Sequence, residues 1–279
     1  MQSITACNEK TGSAADVIRK NGVAIVSSNA LFSCTLLDAL NERSNQIEQE
    51  VCRRLDEVGR KWRATSDDAS IDTKSACLTS VEEEEENCFR YQEVASRCLG
   101  RLDVRRGANN YPFNQAGVID NPKIMNVVKD LLGDDARLVY CGLIFSVPNS
   151  ADQPWHQDGS PLFPQSIGID FPVYALNVFI PMHDIIEDVG PTEFFPGSHM
   201  SKRATEINQD VEKAAKCPNA VIGPNLKRGQ VLIYDYRVCH RGTSNLSTSQ
   251  MKSMLYLMYA RPWFLEHLNF GDDCLFEKE

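Results

Sequence analysis

Two short stretches carry residue types that hold metals: Trp155-His156-Gln157-Asp158, and Cys239-His240-Arg241-Gly242, whose histidine lies 82 residues beyond Asp158. Two imidazoles and one carboxylate on one face of an ion form the ligand set of non-heme Fe(II) oxygenases, with the other positions left open to cosubstrate and O2. A His-x-Asp spacing suits a strand or its end, where residues i and i+2 point the same way. The second histidine can then arrive from a strand distant in sequence. With 5 histidines and 38 acidic residues among 279, a His-x-acid pair is about as frequent by chance as not, so the pair alone decides little. Its setting decides more. His156 follows the Gln153-Pro154 turn, Asp158 opens a Gly-Ser-Pro loop, and His240 leaves a β-rich run for the turn Gly242-Thr243-Ser244-Asn245. Those are strand-mouth positions, where jelly-roll domains hold metals.

The elements that must position these residues follow from the pattern of apolar side chains. A short helix at Ala15 to Lys20 stops at Asn21-Gly22, and Val23-Ala24-Ile25-Val26 reads as a strand. From Leu31 to about Trp62, Leu36, Leu37, Leu40, Ile47, Val51, Leu55 and Val58 recur at helical spacing. The first hundred residues therefore read mostly helical. Asn121 suits an N-cap, Pro122 a first turn, and Gly133 a terminator for a helix with Ile124, Val127, Val128, Leu131 and Leu132 on one face. Beyond it, Leu138 to Val147, Val173 to Met182, Gln230 to Tyr236 and Ser253 to Tyr259 are β-rich runs between Pro/Gly/Asn/Asp/Ser clusters. In one of them Ala175, Asn177 and Phe179 share a face. Helices first and an antiparallel β half second describe a single α+β domain over 1–279, with residues 60–90 as a loop or helical insertion.

Composition narrows the class of partner. A formal net charge of −9 repels phosphate backbones and anionic membrane, so a small-molecule substrate is expected, with no nucleic acid and no membrane partner. No window reaches about 18 consecutive apolar residues, and the start MQSITACNEK lacks the basic and apolar regions of a secretory signal. Ten cysteines without a CxxC pair read as reduced thiols, several of them small core hydrophobes, which fits a cytoplasmic protein. The oligomeric state stays open, a homodimer included.

Several ordered motifs together make the chain resemble the phytanoyl-CoA dioxygenase family of Fe(II)/2-oxoglutarate oxygenases. They are the helix and strand from Asp16 to Val26, Asn121-Pro122 to Leu132-Gly133, and Gln153-Pro154-Trp155-His156-Gln157-Asp158-Gly159. Gly190-Pro191-Thr192-Glu193-Phe194-Phe195-Pro196-Gly197-Ser198-His199, His240-Arg241-Gly242 and Arg261-Pro262-Trp263-Phe264 complete the set. The resemblance implies a double-stranded β-helix (jelly-roll, cupin-like) core with flanking N-terminal helices, and Fe(II) held by His156, Asp158 and His240. It also implies 2-oxoglutarate and O2 as cosubstrates, with succinate and CO2 as products. In the family an arginine about eleven residues past the second histidine pairs with the far carboxylate of 2-oxoglutarate. Here that position is Met251, and no arginine lies between Gly242 and Arg261. Counting back from Arg261-Pro262-Trp263-Phe264 places the role on Lys252, with one extra residue in the preceding turn. An ammonium cannot offer a flat two-pronged fork, so Thr192, Thr243 and Ser247 are candidates to complete the cage. Gln153 and Phe179 are further candidates for the cosubstrate's surroundings. Related halogenases lack the carboxylate at the position of Asp158, so the resemblance favours hydroxylation, desaturation or oxidative cyclisation of a small organic substrate, with specialised metabolism as the preferred setting.

Other residues have plainer readings. His183 and His199 fit a surface loop and a turn, His267 has no partner in view, and Cys239 should point to the opposite face from His240. Trp155 should face away from the metal. Arg97, Arg101, Arg105 and Arg106 form a basic cluster whose plain reading is pairing with the Glu82–Glu86 run, and whose sharper one is contact with an acidic substrate. Leu162, Phe163, Ile167, Ile169 and Phe171, in the loop from Ser160 to Pro172, are expected to cover the site or meet a second subunit. Two other readings stay open: a metal-dependent oxygenase of this fold that does not use 2-oxoglutarate, and a non-catalytic jelly-roll module binding a small molecule or a protein.

Overall fold

The computed structural model describes residues 13–27, 31–60, 62–63, 88–96, 98–159, 162–163, 168–208, 210–265 and 270–276. The Glu82–Glu86 run, Arg97, Ile167, His267 and most of the insertion expected at 60–90 lie outside the described residues.

Helix α1 (Ala14–Asn21) begins where the Ser13 hydroxyl accepts from the Asp16 amide at 3.1 Å, and it ends at Gly22, whose φ of 82° is left-handed. A side chain at Gly22 would also meet His199 Nδ1 at 2.7 Å. Strand β1 (Val23–Val26) follows at once and is buried throughout. Helix α2 (Cys34–Glu57) is shorter than the apolar spacing suggests. The Ser33 hydroxyl accepts from Leu36 N at its start, and Gly59 turns the chain at φ 69° just past its end. Leu37, Leu40, Ile47, Val51 and Leu55 are its buried stripe.

Strands β2 (Phe89–Arg90) and β3 (Val94–Ser96) stand within the first hundred residues, which read mostly helical in the sequence, and β4 (Arg101–Val104) follows directly. They are too short to show alternation, and pairing rather than propensity makes them strands: Phe89 faces Ser96, Val94 faces Val104 and Arg101 faces Ser146. Helix α3 (Ala116–Ile119) leads into α4 (Pro122–Leu132), capped by Asn121 and closed by Gly133 as the sequence predicts. Its Ile124, Val128 and Leu132 are wholly buried, each contributing about 1.5–3 kcal/mol of apolar transfer.

The second half contains β5 (Arg137–Ser146), β6 (Ala175–Pro181), a 3-10 turn (Glu187–Val189) and β7 (Thr192–Phe194). Helices α5 (Ser201–Asn208) and α6 (Val211–Ala215) come next, then β8 (Val231–Asp235), β9 (His240–Gly242) and β10 (Lys252–Ala260). Eight strands form one antiparallel sheet in the order β1-β8-β6-β10-β5-β4-β3-β2. β7 pairs with β9 in a second sheet, which single bridges extend to Ile222 on one side and His156 on the other. The result is the jelly-roll core expected, with helices on its flank.

Alternation divides the large sheet. Leu143, Phe145, Leu176, Val178, Leu255 and Leu257 pack in one cluster with the buried stripes of α2 and α4. Ile144, Asn177, Phe179, Met254, Tyr256 and Tyr234 line a cavity shared with His240 and Thr192 of the second sheet. A one-residue slip in any central strand would exchange these sets, so register and site are specified together. Among the described residues, no helix is long and apolar enough to cross a membrane.

Candidate metal centre

His240 opens β9 rather than ending a run, and it exchanges two backbone hydrogen bonds of 2.9 Å with His156. Residues paired this way project side chains to the same side, and the two rings sit 4.4 Å apart between centroids. Each ring's Nδ1 lies against a carbonyl two residues back: Pro154 O at 2.8 Å for His156, Val238 O at 3.0 Å for His240. A carbonyl can only accept, so Nδ1 carries the proton and Nε2 presents its lone pair to the cavity. Asp158 approaches these nitrogens, with Oδ1 3.8 Å from His156 Nε2 and Oδ2 3.6 Å from His240 Nε2. All three ligand atoms lie within 4.8 Å of one another. Two imidazole nitrogens and one carboxylate oxygen fit a divalent iron ion by donor type and number.

The carboxylate rides on a loop, and that loop is pinned. Gly159 N donates to Tyr236 O at 3.0 Å, and the Gln157 amide donates to Arg237 O. Asp158 Oδ2 itself accepts from Asn177 Nδ2 at 2.7 Å and from the Tyr234 hydroxyl at 2.8 Å.

The triad lines one cavity of about 130 Å³. Lys252, at the start of β10, is also in its wall and is 1% exposed, its Nζ donating to Gly190 O at 2.5 Å. Burial, with Arg101 nearby, pushes its pKa well below the ordinary lysine range. Arg101 shares that wall. Its guanidinium donates to Ala151 O at 2.8 Å, Thr243 O at 2.6 Å and Ser146 Oγ at 2.8 Å. Among the described residues, neither cation makes an ion pair with a carboxylate within 4.0 Å.

Of the other expected cosubstrate neighbours, Thr192, Gln153 and Phe179 line the cavity. Gln153 Oε1 accepts from Gly242 N at 2.9 Å, and Phe179 meets Tyr234 edge-on at 5.1 Å. The structure does not bring Thr243 and Ser247 there. The Thr243 hydroxyl donates to Pro191 O at 2.7 Å, and that of Ser247 to Asn245 Oδ1 at 2.6 Å, because both lie in the turn and serve its backbone. Sequence reasoning missed Asn177 and Tyr234 as partners of Asp158. It placed Arg101 in a basic cluster that either pairs with the Glu82–Glu86 run or contacts an acidic substrate, without setting it in the wall of the metal cavity. The one usable signal was Asn177, a polar residue on the face it shares with Phe179.

The cavity wall beyond the metal is aromatic. Arg105 is held between the rings of Tyr140 and Phe270, 3.5 and 3.4 Å from their centroids. Tyr256 donates to Asp103 at 2.8 Å, lying across Gly142, where any Cβ would come within 2.4 Å of its ring. Residues 270–276 are tied down by Gln92 N to Asp273 O at 2.7 Å and Leu275 N to Glu93 Oε2 at 2.9 Å. In the basic cluster, Arg106 pairs with Glu50 at 2.8 Å.

The remaining candidates lie elsewhere. His183 Nε2 accepts from Ser253 N at 3.1 Å, and His199 Nε2 contacts Arg19 O at 3.1 Å, so neither reaches the triad. Cys239 packs with Phe195, Ile207 and Ala220, and the Trp155 ring lies 4.5 Å from that of Phe195 at a tilt of 53°, both away from the metal side as expected. Burial pushes the Cys239 and Cys141 thiols up to about 12, as inert core groups. Leu162, Phe163 and Ile169 are 40%, 49% and 57% exposed and do not line the cavity.

Residues 18–254 match the family model described as phytanoyl-CoA dioxygenase (PhyH). Two curated relatives are dioxygenase easH of Epichloe festucae var. lolii, 28% identical over 43% of this chain, and dioxygenase af480 of Aspergillus fumigatus, 25% identical over 51% of it. The matched stretches span 60% and 43% of those proteins, about half their length. Among solved structures, HygX from Streptomyces hygroscopicus with nickel, 2-oxoglutarate and hygromycin B bound superposes with a TM-score of 0.56 at 11% identity, over 90% of this chain and 87% of that one. That likeness is one of fold.

Proposed function

The chain belongs to the phytanoyl-CoA dioxygenase family, and from that premise we propose that it is an Fe(II)- and 2-oxoglutarate-dependent dioxygenase acting on a small organic substrate. The observation that carries this reading is the convergence of His156 Nε2, His240 Nε2 and the Asp158 carboxylate within 4.8 Å, in a cavity that also holds two buried cations. His156, Asp158 and His240 would bind the iron. Bound iron, together with 2-oxoglutarate and O2, supplies an oxidant able to take hydrogen from an unactivated carbon, as 2-oxoglutarate goes to succinate and CO2.

The chain's own contribution is placement. The carbonyls of Pro154 and Val238 hold the imidazole tautomers that ligation needs. Lys252 and Arg101 offer positive charge for the far carboxylate of 2-oxoglutarate, and the donor set suits it: a buried ammonium whose charged form is disfavoured gains most from an anion. Thr192, Gln153 and Phe179 shape the same part of the wall. Tyr140, Tyr256 and Phe270 give the other part the apolar lining that seats an organic substrate and excludes water. HygX was solved with 2-oxoglutarate and hygromycin B bound, and the two curated relatives are called dioxygenases; both support the assignment. Hydroxylation, desaturation and oxidative cyclisation are the reaction classes in view, in specialised metabolism. A net charge of −9 supports a small molecule over nucleic acid, and the buried thiols suit the cytoplasm.

The test is anaerobic addition of Fe(II) and then 2-oxoglutarate, watching for metal-to-ligand charge-transfer colour. Colour in the parent and its loss in Lys252→Ala, with iron still bound, is the expected result. Iron uptake without colour in either protein points to an oxygenase of this fold that uses no 2-oxoglutarate. No iron uptake points to a non-catalytic binding module.

A further inference from the structure

Arg101, Ser146 and Lys252 stand in one row across three neighbouring strands. Ser146 of β5 is paired with Arg101 of β4 on one side and with Lys252 of β10 on the other. Residues directly opposite in antiparallel strands project to the same face, here the cavity wall that both cations line. Two strand spacings put the outer pair about 10 Å apart between Cα atoms, a gap that two long side chains span over a serine. Arg101 donates to Ser146 Oγ at 2.8 Å, and Lys252 Nζ donates to Gly190 O at 2.5 Å. That carbonyl belongs to a crowded turn: Gly190 has a φ of 80°, and a side chain there would come within 2.4 Å of Thr243 O.

Burial, with the guanidinium of Arg101 beside it, disfavours the ammonium form of Lys252 and leaves the amine its lone pair. A desolvated lysine next to a second cation is a nucleophile toward carbonyl carbon, and the second cation favours a reagent that carries an anion. We propose that Lys252 is a covalent capture site for short 2-oxo acids, glyoxylate being the smallest, held as imines with their carboxylate against Arg101. Nζ attacks the carbonyl carbon, and the carbonyl oxygen takes a proton from Nζ to become a hydroxyl. That hydroxyl then leaves with the remaining Nζ hydrogen as one water while the C=N bond forms. The step consumes no oxidant, iron or 2-oxoglutarate, so its failure would leave the dioxygenase reading untouched. An arginine, the residue that the family resemblance calls for here, could not react in this way, because a guanidinium keeps its proton.

The test treats the full chain with glyoxylate and cyanoborohydride at neutral pH, with a chelator present, which fixes an imine as a carboxymethyl amine. Peptide mass mapping then gives the rate at each lysine. Lys252 is expected to be labelled at least about tenfold faster than exposed lysines, which at neutral pH hold roughly one free amine in a thousand. That lead should vanish in denaturant, and Lys252→Met should lose the fast adduct while keeping the slow surface ones. Glycolaldehyde, of similar size but without the charge, should give Lys252 a smaller lead over the surface lysines. Labelling of Lys252 no faster than exposed lysines in the folded protein, or a fast adduct that persists in Lys252→Met, overturns the proposal. An equal lead with glycolaldehyde overturns the part assigned to Arg101.

Discussion

At the metal end of the cavity each polar side chain meets a partner of opposite need, whereas at the Lys252 end two cations sit together and lean on carbonyl oxygens. The imidazole Nδ1 groups have carbonyls, and the Asp158 carboxylate has a hydroxyl and an amide. Lys252 donates to Gly190 O and Arg101 to Ala151 O and Thr243 O, so their charge is solvated by dipoles but not balanced by a carboxylate among the described residues. Burial without a paired carboxylate disfavours the charged form of such a group, which is why the pKa of Lys252 is pushed well below the ordinary lysine range. The contrast teaches that the cosubstrate end, not the metal end, is where the fold carries an electrostatic deficit.

That contrast can be broken at either end. His240→Ala should have the largest effect, a loss of Co(II) or Fe(II) affinity beyond about 100-fold, because two protein ligands cannot hold the ion; retention of parental affinity by calorimetry would remove the metal end from the comparison. Lys252→Ala should weaken 2-oxoglutarate binding about 30–100-fold, in line with losing a charge-assisted bond in a dry site, while leaving metal affinity alone. Equal loss of both would mean the two ends are not separable. Lys252→Met should do the reverse to the ligand-free fold and stabilise it by about 1–3 kcal/mol, seen as a raised denaturant midpoint. A lowered midpoint would show that the charge is already satisfied.

The smallest effect is with pH. The folded-state pKa of Lys252 is depressed while the unfolded chain keeps the ordinary value, so between the two the unfolded state binds more protons and ligand-free stability rises with pH. 2-Oxoglutarate favours the charged lysine, so its affinity should fall over the same window. A flat profile in the parent, or the same slope in Lys252→Met, would detach the effect from this residue.

Much of the fold was legible because it is written in local chemistry: Asn121, Gly22 and Gly133 bound their helices, and alternation in β6 puts Asn177 and Phe179 on one face, which lines the cavity. β2 to β4 were not legible, since strands of two to four residues exist only by virtue of their neighbours. At the site, the spacing of His156 and Asp158 and the turn after His240 made these residues candidates, and the family resemblance singled them out as a ligand set. Lys252 was reached only by counting along a resemblance. Arg101 was hidden, because nothing in an arginine's surroundings along the chain says that it will be 5% exposed. Thr243 and Ser247 were misplaced for the complementary reason: hydroxyls in a turn serve the turn first.

The paired backbone of His156 and His240 has a consequence for repair. Main-chain hydrogen bonds, not the rings, fix how far apart the two positions stand. Deleting one ring therefore leaves a slot of imidazole shape with its walls standing, open to a free heterocycle from solution. If the two rings bind a metal, added imidazole is expected to restore metal affinity to an alanine variant at either position.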